Sequence, residues 1–164
     1  MPVETLKNAF VDELKDLLSA EKQITEALPK MAQKATSKGL KKAFEDHLEE
    51  TQNHIERLEK AFESIDLKAT SKKCEAMEGL LKEGKHVIEE TDDAETLDAF
   101  MIAAAQKVEH YEIASYGTVC AWAECLGYKD AKRLLAETLQ EEKDADSRLS
   151  DLSYAGINKS AMAA

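Results

Sequence analysis

Five ionisable side chains stand where helical periodicity places apolar ones. Glu21 follows Leu14 and Leu17 and precedes Ile24 and Leu28, at the alternating three- and four-residue steps that keep one helix face turned inward. His47 and His54 fall in the run Leu40, Phe44, His47, Thr51, His54, Leu58. Glu112 falls in Met101, Ala105, Val108, Glu112, Ser115, Val119, and Glu142 in Ala131, Leu135, Thr138, Glu142, Ala145, Leu149. Three more acids share these faces: Glu50 between the two histidines, Glu109 one turn before Glu112, and Asp146 one turn after Glu142. An unpaired buried carboxylate costs several kcal/mol even after relaxation, so four or more cannot stay ionised together without cations. No Lys or Arg lies in these runs. Water, shared protons or metal remain as ways to neutralise the group, and two divalent ions would balance about four carboxylates. Hard oxygen donors with a little imidazole suit iron or manganese, with magnesium as a further option. The candidate metal ligands are therefore Glu21, His47, Glu50, His54, Glu109, Glu112, Glu142 and Asp146. Either histidine could instead hydrogen-bond a carboxylate from outside such a centre.

The elements that must position these residues are four long helices. The pattern predicts helices over 5–35, 40–65, 95–126 and 129–154. Pro29 falls inside the first and should kink it or end it early. A break over 66–72 and a shorter helix over 73–90 fill the connection between the second and third. Thr91-Asp92-Asp93 supplies an N-cap signal for the next helix, and Gly127 fits a C-terminal cap. Two tight hairpins joined by one long crossover are what ferritin-like bundles use. The expected fold is thus an all-α, ferritin-like four-helix bundle over residues 1–155, with the short extra helix in the crossover and a frayed tail over 156–164.

Depth along the bundle supports a common centre. With the first turn near Lys38, Glu21 lies level with His54 and about one turn from Glu50. With the second near Gly127, Glu112 and Glu109 lie level with Glu142 and Asp146. The halves also resemble each other: one register shift places Glu21 on Glu112, Glu50 on Glu141, Arg57 on Arg148 and Leu58 on Leu149. This shift picks Glu141 on the fourth helix, whereas the inward phase picks Glu142. The phase is preferred, because side-chain direction decides what reaches the interior.

Composition excludes other classes. The chain has 164 residues, room for one core, and a net charge of −11, which disfavours nucleic-acid binding. Two Pro and six Gly, with Ala, Leu, Glu and Lys abundant, favour helices. No apolar run is long enough to span a bilayer, and Met1-Pro2-Val3-Glu4 lacks the basic-then-apolar pattern of a secretory leader. Cys74, Cys120 and Cys125 have no Cys-x-x-Cys spacing and read as packed or semi-exposed thiols of a reducing compartment, the cytoplasm. Tyr111 and Tyr116 flank the acids and read as core packing, with a hydrogen-bonding or radical role as the alternative. His86 and His110 read as peripheral.

Several strings resemble the YciE/YciF family of bacterial stress proteins. They are Ser19-Ala20-Glu21-Lys22-Gln23, His47-Leu48-Glu49-Glu50-Thr51, Cys74-Glu75-Ala76-Met77-Glu78-Gly79-Leu80, Lys107-Val108-Glu109-His110-Tyr111-Glu112-Ile113-Ala114 and Thr138-Leu139-Gln140-Glu141-Glu142-Lys143. The resemblance implies a ferritin-like, rubrerythrin-related bundle, a homodimer, from a bacterial cytoplasm, linked to stress and not to a settled reaction. The Glu-x-x-His pattern of ferritin-like di-iron proteins is absent: Asn53 stands three residues after Glu50 and Ala145 three after Glu142. The ligand set therefore does not carry over from that pattern. No rubredoxin-like Cys pattern accompanies the bundle.

Two function classes follow. One is a di-metal oxidoreductase handling iron with oxygen or peroxide. The other is a non-catalytic dimeric stress protein that works through partner binding, with a structural or vestigial metal site. An iron-storage cage is a third.

Overall fold

A computed structural model of the chain describes residues 3–163, so residues 1–2 of the expected bundle domain and residue 164 of the expected tail lie outside it. Helix α1 (Leu6–Lys34) begins at Thr5, whose Oγ1 accepts from Asn8 N at 3.1 Å. Helix α2 (Lys38–Glu63) begins at Ser37, whose Oγ accepts from Leu40 N at 3.3 Å. Helix α3 (Glu75–Glu90) lies in the crossover, and helix α4 (Ala94–Cys125) follows, capped by Asp93 Oδ2 on Thr96 N at 2.7 Å. Gly127, at φ 75°, ends α4: Tyr128 N donates to Ala123 O at 2.9 Å and Gly127 N to Glu124 O at 3.1 Å. This left-handed cap satisfies the last carbonyls and turns the chain into α5 (Lys129–Leu152).

Bonds between helices fix their directions. Thr36 N and Ser37 N donate to the buried Asp98 carboxylate of α4 at 2.8 and 2.7 Å, and Tyr116 OH of α4 donates to Glu21 of α1. Helix α4 therefore runs antiparallel to α1. Arg57 Nη2 donates to Glu141 Oε1 at 2.8 Å and Arg148 Nη2 to Glu50 Oε2 at 2.8 Å, so α5 runs antiparallel to α2. Helices α2 and α4 consequently run the same way. A chain can do that only by returning along the bundle between them, which is the expected ferritin-like crossover. The crossover is pinned to α1: Lys72 N donates to Lys15 O at 3.1 Å, Cys74 N to Ser19 Oγ at 3.0 Å, and Gln23 Nε2 to Cys74 O at 3.2 Å.

The interior is two apolar clusters with a polar layer between them. Phe10, Leu14, Leu17, Leu58, Phe62 and Leu135 fill one end. Ile24, Leu28, Phe44, Met101, Val108 and Leu149 fill the other. Glu21, His47, Thr51, His54, Glu109, Glu112, Thr138 and Glu142 are buried in between. Among the described residues, no helix is long and apolar enough to cross a membrane.

Three expectations need correction. Pro29 does not end the first helix, which continues to Lys34. It is exposed while Leu28 and Ala32 on either side are buried, so core packing holds the turn and solvent can take the carbonyl that Pro leaves unbonded. The inward face of α4 passes through Tyr116 and Ala123 rather than Ser115 and Trp122. A strict four–three alternation drifts by about 20° per heptad on a straight helix, and an extra four-residue step restores the phase. Finally, the tail expected to fray carries structure among its described residues: a π-turn (Ser153–Ile157) leads into helix α6 (Asn158–Ala161), and Ile157 packs into the core.

The exit from α2 uses a non-glycine residue in the left-handed region, Asp66 at φ 59°. Leu67 N donates to Phe62 O at 3.0 Å and Asp66 N to Glu63 O at 3.0 Å, the same cap that Gly127 makes. Asp66→Gly is expected to stabilise the fold by about 0.5 kcal/mol, since relief of ~1 kcal/mol of backbone strain outweighs the added freedom of the unfolded chain. Urea unfolding checks it: the midpoint should rise at unchanged slope.

Candidate metal centre

Six of the eight residues singled out from the sequence converge in the polar layer. His47, Glu109, Glu112 and Glu142 form one group and Glu21, His54 and Glu142 another, with ligand atoms in each within 4.8 Å of one another. Glu142 belongs to both. Each long helix contributes: α1 gives Glu21, α2 the histidines, α4 Glu109 and Glu112, and α5 Glu142. Glu142, not Glu141, enters the interior, as the helical phase required.

The histidines show which way the site faces. His54 Nε2 contacts Glu141 Oε2 at 2.8 Å on the outside, leaving Nδ1 turned inward, 3.0 Å from Glu142 Oε1 and 3.4 Å from Glu21 Oε1. His47 Nδ1 contacts Glu50 Oε2 at 3.0 Å on the outside, leaving Nε2 inward, 3.3 Å from Glu109 Oε1 and 3.6 Å from Glu142 Oε2. A carboxylate accepting from the outer ring N–H fixes the tautomer whose inner nitrogen carries a lone pair, the form that binds metal. Arginines hold both outer carboxylates. Arg57 Nη1 and Nη2 donate to Glu141 at 2.6 and 2.8 Å, and Arg148 Nη2 donates to both oxygens of Glu50 at 2.9 and 2.8 Å.

Glu50 and Asp146 therefore stand apart from the converging six. Glu50 is three residues from His47 on the helix, close enough to reach the imidazole but turned toward Arg148. Asp146 Oδ2 contacts the exposed His110 Nε2 at 3.2 Å. His110, read as peripheral, is thus a neighbour of that acid and not of the centre.

The interior atoms are poor partners for one another. His47 Nε2, Oε2 of Glu21, Glu109 and Glu142, and both oxygens of Glu112 are buried without a hydrogen bond, and His54 Nδ1 and Glu142 Oε1 have only their 3.0 Å contact with each other at poor hydrogen-bond geometry. Buried polar atoms are nearly always satisfied, so a convergent set that is not points to a missing partner at its centre. Their chemistry, carboxylate oxygen with two imidazole nitrogens, fits divalent cations. The residues fit two such ions in donor type, number and charge.

The layer without metal is held by shared protons. Burial, with Glu142 and Glu21 nearby, pushes the Glu112 carboxyl well above its usual range. Burial also raises Glu109, against the pull of His47, and raises Glu142, against His54. Burial alone would lower His54, but Glu142 and Glu21 outweigh it and push the imidazole up to about 11. Burial likewise disfavours the His47 cation, and Glu109 and Glu50 outweigh it to raise His47. Outside the layer, Glu50 is held at about 2, because His47 and Arg148 more than offset its burial, and Arg57 lowers Glu141.

Tyr116 joins both of its sequence readings, core packing and hydrogen bonding. Its phenol is fully buried and donates to Glu21 Oε1, which orients that carboxylate and leaves Oε2 for the interior. The alternation error on α4 had put Ser115 in its place on the inward face. Sequence reasoning missed the roles of Arg57 and Arg148, although the register shift had paired them. In the structure that shift becomes geometry: Arg57 binds Glu141 while Arg148 binds Glu50, so each arginine reaches the partner of the other across α2 and α5.

Known proteins share this fold, and some are similar in sequence. Protein YciF of Escherichia coli is 51% identical over 162 residues, covering 98% of this chain and 98% of that protein. The crystal structure of the E. coli stress protein YciF matches with a TM-score of 0.92 over 96% of this chain and 99% of that one. YcfI from Rhodopseudomonas palustris matches at 45% identity and a TM-score of 0.89, over 90% and 94% of the two chains. A protein of Xanthomonas campestris pv. campestris, at 21% identity, shares the fold alone, with a TM-score of 0.73 over 92% of each chain. The family model described as Domain of unknown function (DUF892) matches residues 5–162, and with these relatives it shows that the chain belongs to that family.

Proposed function

We propose that this chain is a ferritin-like stress protein that binds two divalent metal ions, iron first, and oxidises them with dioxygen or peroxide. The stress assignment rests on its likeness to E. coli YciF. The metal assignment rests on one observation: inner atoms of two histidines and four glutamates converge, buried and without hydrogen bonds. Bound ferrous ions would supply one electron each, two in all, to a two-electron oxidant. The chain's own residues do the rest. Glu141 and Glu50, held ionised by Arg57 and Arg148, fix the imidazoles with a lone pair inward. Tyr116 sets the angle of Glu21. The apolar clusters at either end exclude water, which strengthens every charge interaction between them.

Anaerobically purified protein should bind two ferrous ions per chain. Exposure to oxygen or peroxide should give a stoichiometric ferric absorbance. The quadruple variant Glu21→Gln, Glu109→Gln, Glu112→Gln, Glu142→Gln should show neither. Absence of oxidation in loaded wild-type protein would sink the redox reading.

A second reading has an observation of its own. Raised glutamates beside a histidine pushed up to about 11 can neutralise the layer with protons alone. The chain would then be a structural stress protein working through partners. Under that reading Glu21→Ala alters stability or assembly and abolishes no turnover.

A further inference from the structure

The polar layer does not close directly onto solid packing on the side of the second apolar cluster. A cavity of about 30 Å³ lies there, walled by Ile24, Leu28, Phe44, Ala105, Val108 and Leu149. At its floor are His47 and Glu109, whose Nε2 and Oε2 are among the unbonded inner atoms. Glu21, His54 and Glu112 do not line it. Met31, Leu81, Ala145 and Arg148 also line it, as do Ala27 of α1 and Ala43 of α2, short side chains that are only half-buried.

Size and polarity restrict the guest. A water needs roughly 10–15 Å³ of such room, so this chamber suits a molecule of two or three heavy atoms. Its walls are hydrocarbon except at the floor and at Arg148. Hydrogen peroxide could pair only at the floor and at Arg148, and would cross the hydrocarbon walls with its donors and acceptors unpaired. A nonpolar diatomic loses nothing on entry and gains dispersion contacts.

We propose that this chamber is a dioxygen-binding pocket that delivers the oxidant to the ion position beside His47 and Glu109. The inference rests on the metal-binding reading and narrows it: the co-substrate is dioxygen, not peroxide. The balance is two ferrous ions giving one electron each, with dioxygen and two protons becoming hydrogen peroxide and two ferric ions remaining. The peroxide leaves by another route or reacts further at the layer.

The test begins with no metal. Crystals of the metal-free protein under xenon pressure should show one atom between Ile24, Leu28 and Val108. Ala105→Leu, which fills the chamber one turn from Glu109, should remove it. Loaded anaerobically, that variant should still bind two ferrous ions. Its oxidation by dioxygen should slow about tenfold or more, a barrier rise of ~1.4 kcal/mol. Oxidation by hydrogen peroxide should stay within about twofold of wild type, under ~0.5 kcal/mol. Ala27→Leu, from the opposite wall, repeats the test should the first variant not fold. No xenon in the wild type, or equal slowing with both oxidants, overturns the chamber and leaves the metal reading intact. Xenon in place but no ferrous ion bound overturns the metal reading, and the oxidant role with it.

Discussion

Ferrous or manganous ions added to the metal-free protein should raise its melting temperature by about 10–20 °C. Each ion at a hundredfold excess over its dissociation constant contributes ~2.7 kcal/mol, two contribute ~5 kcal/mol, and a domain of this size gains about 2–4 °C per kcal/mol. The effect should depend on pH in a definite sense. In the metal-free fold Glu109, Glu112 and Glu142 keep protons above the ordinary glutamate value of 4.5, and His54 keeps its proton to about 11. The unfolded chain releases these protons earlier. The folded state then holds more protons than the unfolded one, so stability falls as pH rises from about 4.5 upward through the histidine range. Glu50, held at about 2, and the lowered Glu141 act oppositely. Their stabilisation is complete above 4.5 and is lost as pH drops toward 2. The metal-free protein should therefore be most stable near pH 5. Metal displaces protons from the same ligands, so its stabilising effect should grow from pH 5 to pH 8. Calorimetric melting across pH 3–9, with and without metal, measures both limbs. A flat metal-free profile with no shift on adding metal would refute the centre.

Replacing Glu142 should cost more metal affinity than replacing any other single ligand. Its oxygens face different imidazoles, Oε1 at 3.0 Å from His54 Nδ1 and Oε2 at 3.6 Å from His47 Nε2, and it alone belongs to both groups. Glu142→Gln keeps the volume but removes the charge and puts amide hydrogens where a cation should sit. Both affinities should fall by about a hundredfold or more, at or beyond the upper end of what loss of a supporting partner costs. Glu112→Gln should weaken one ion and spare the other. Glu141→Gln, which acts only through His54, should weaken that histidine's ion by about 10–100-fold. Isothermal titration of the three variants separates these patterns. One ion retained at wild-type affinity in Glu142→Gln would disprove the shared role.

Much of this centre was legible before any coordinates because charge in an apolar face is costly and so carries information. Glu21, Glu112 and Glu142 were readable from phase alone, and Glu142 was separated from its neighbour Glu141 on that basis. The crossover was readable from its length. What failed did so for physical reasons. Glu50 and Asp146 lie one turn from the interior residues, and helical spacing does not distinguish a side chain that enters from one that turns to an arginine or histidine on the next helix. Ser115 and Trp122 were placed inward because a three-residue step and a four-residue step are equally plausible until the drift of a 32-residue helix is known. The folded C-terminal segment was hidden because its small polar residues carry little hydrophobic signal beyond Ile157.

The arginine–glutamate pairs that cross between α2 and α5 exchange under a twofold, but the imidazoles do not. Both come from α2, and the same shift sets Thr138 and Ala145 opposite them on α5. The compartment beside His47 offers three anionic groups, and the one beside His54 offers two. If the proposed ions bind, unlike compartments would fill in order, the more negative first, and the second would accept a different element from the first. A scaffold of matched halves would then hold a mixed pair.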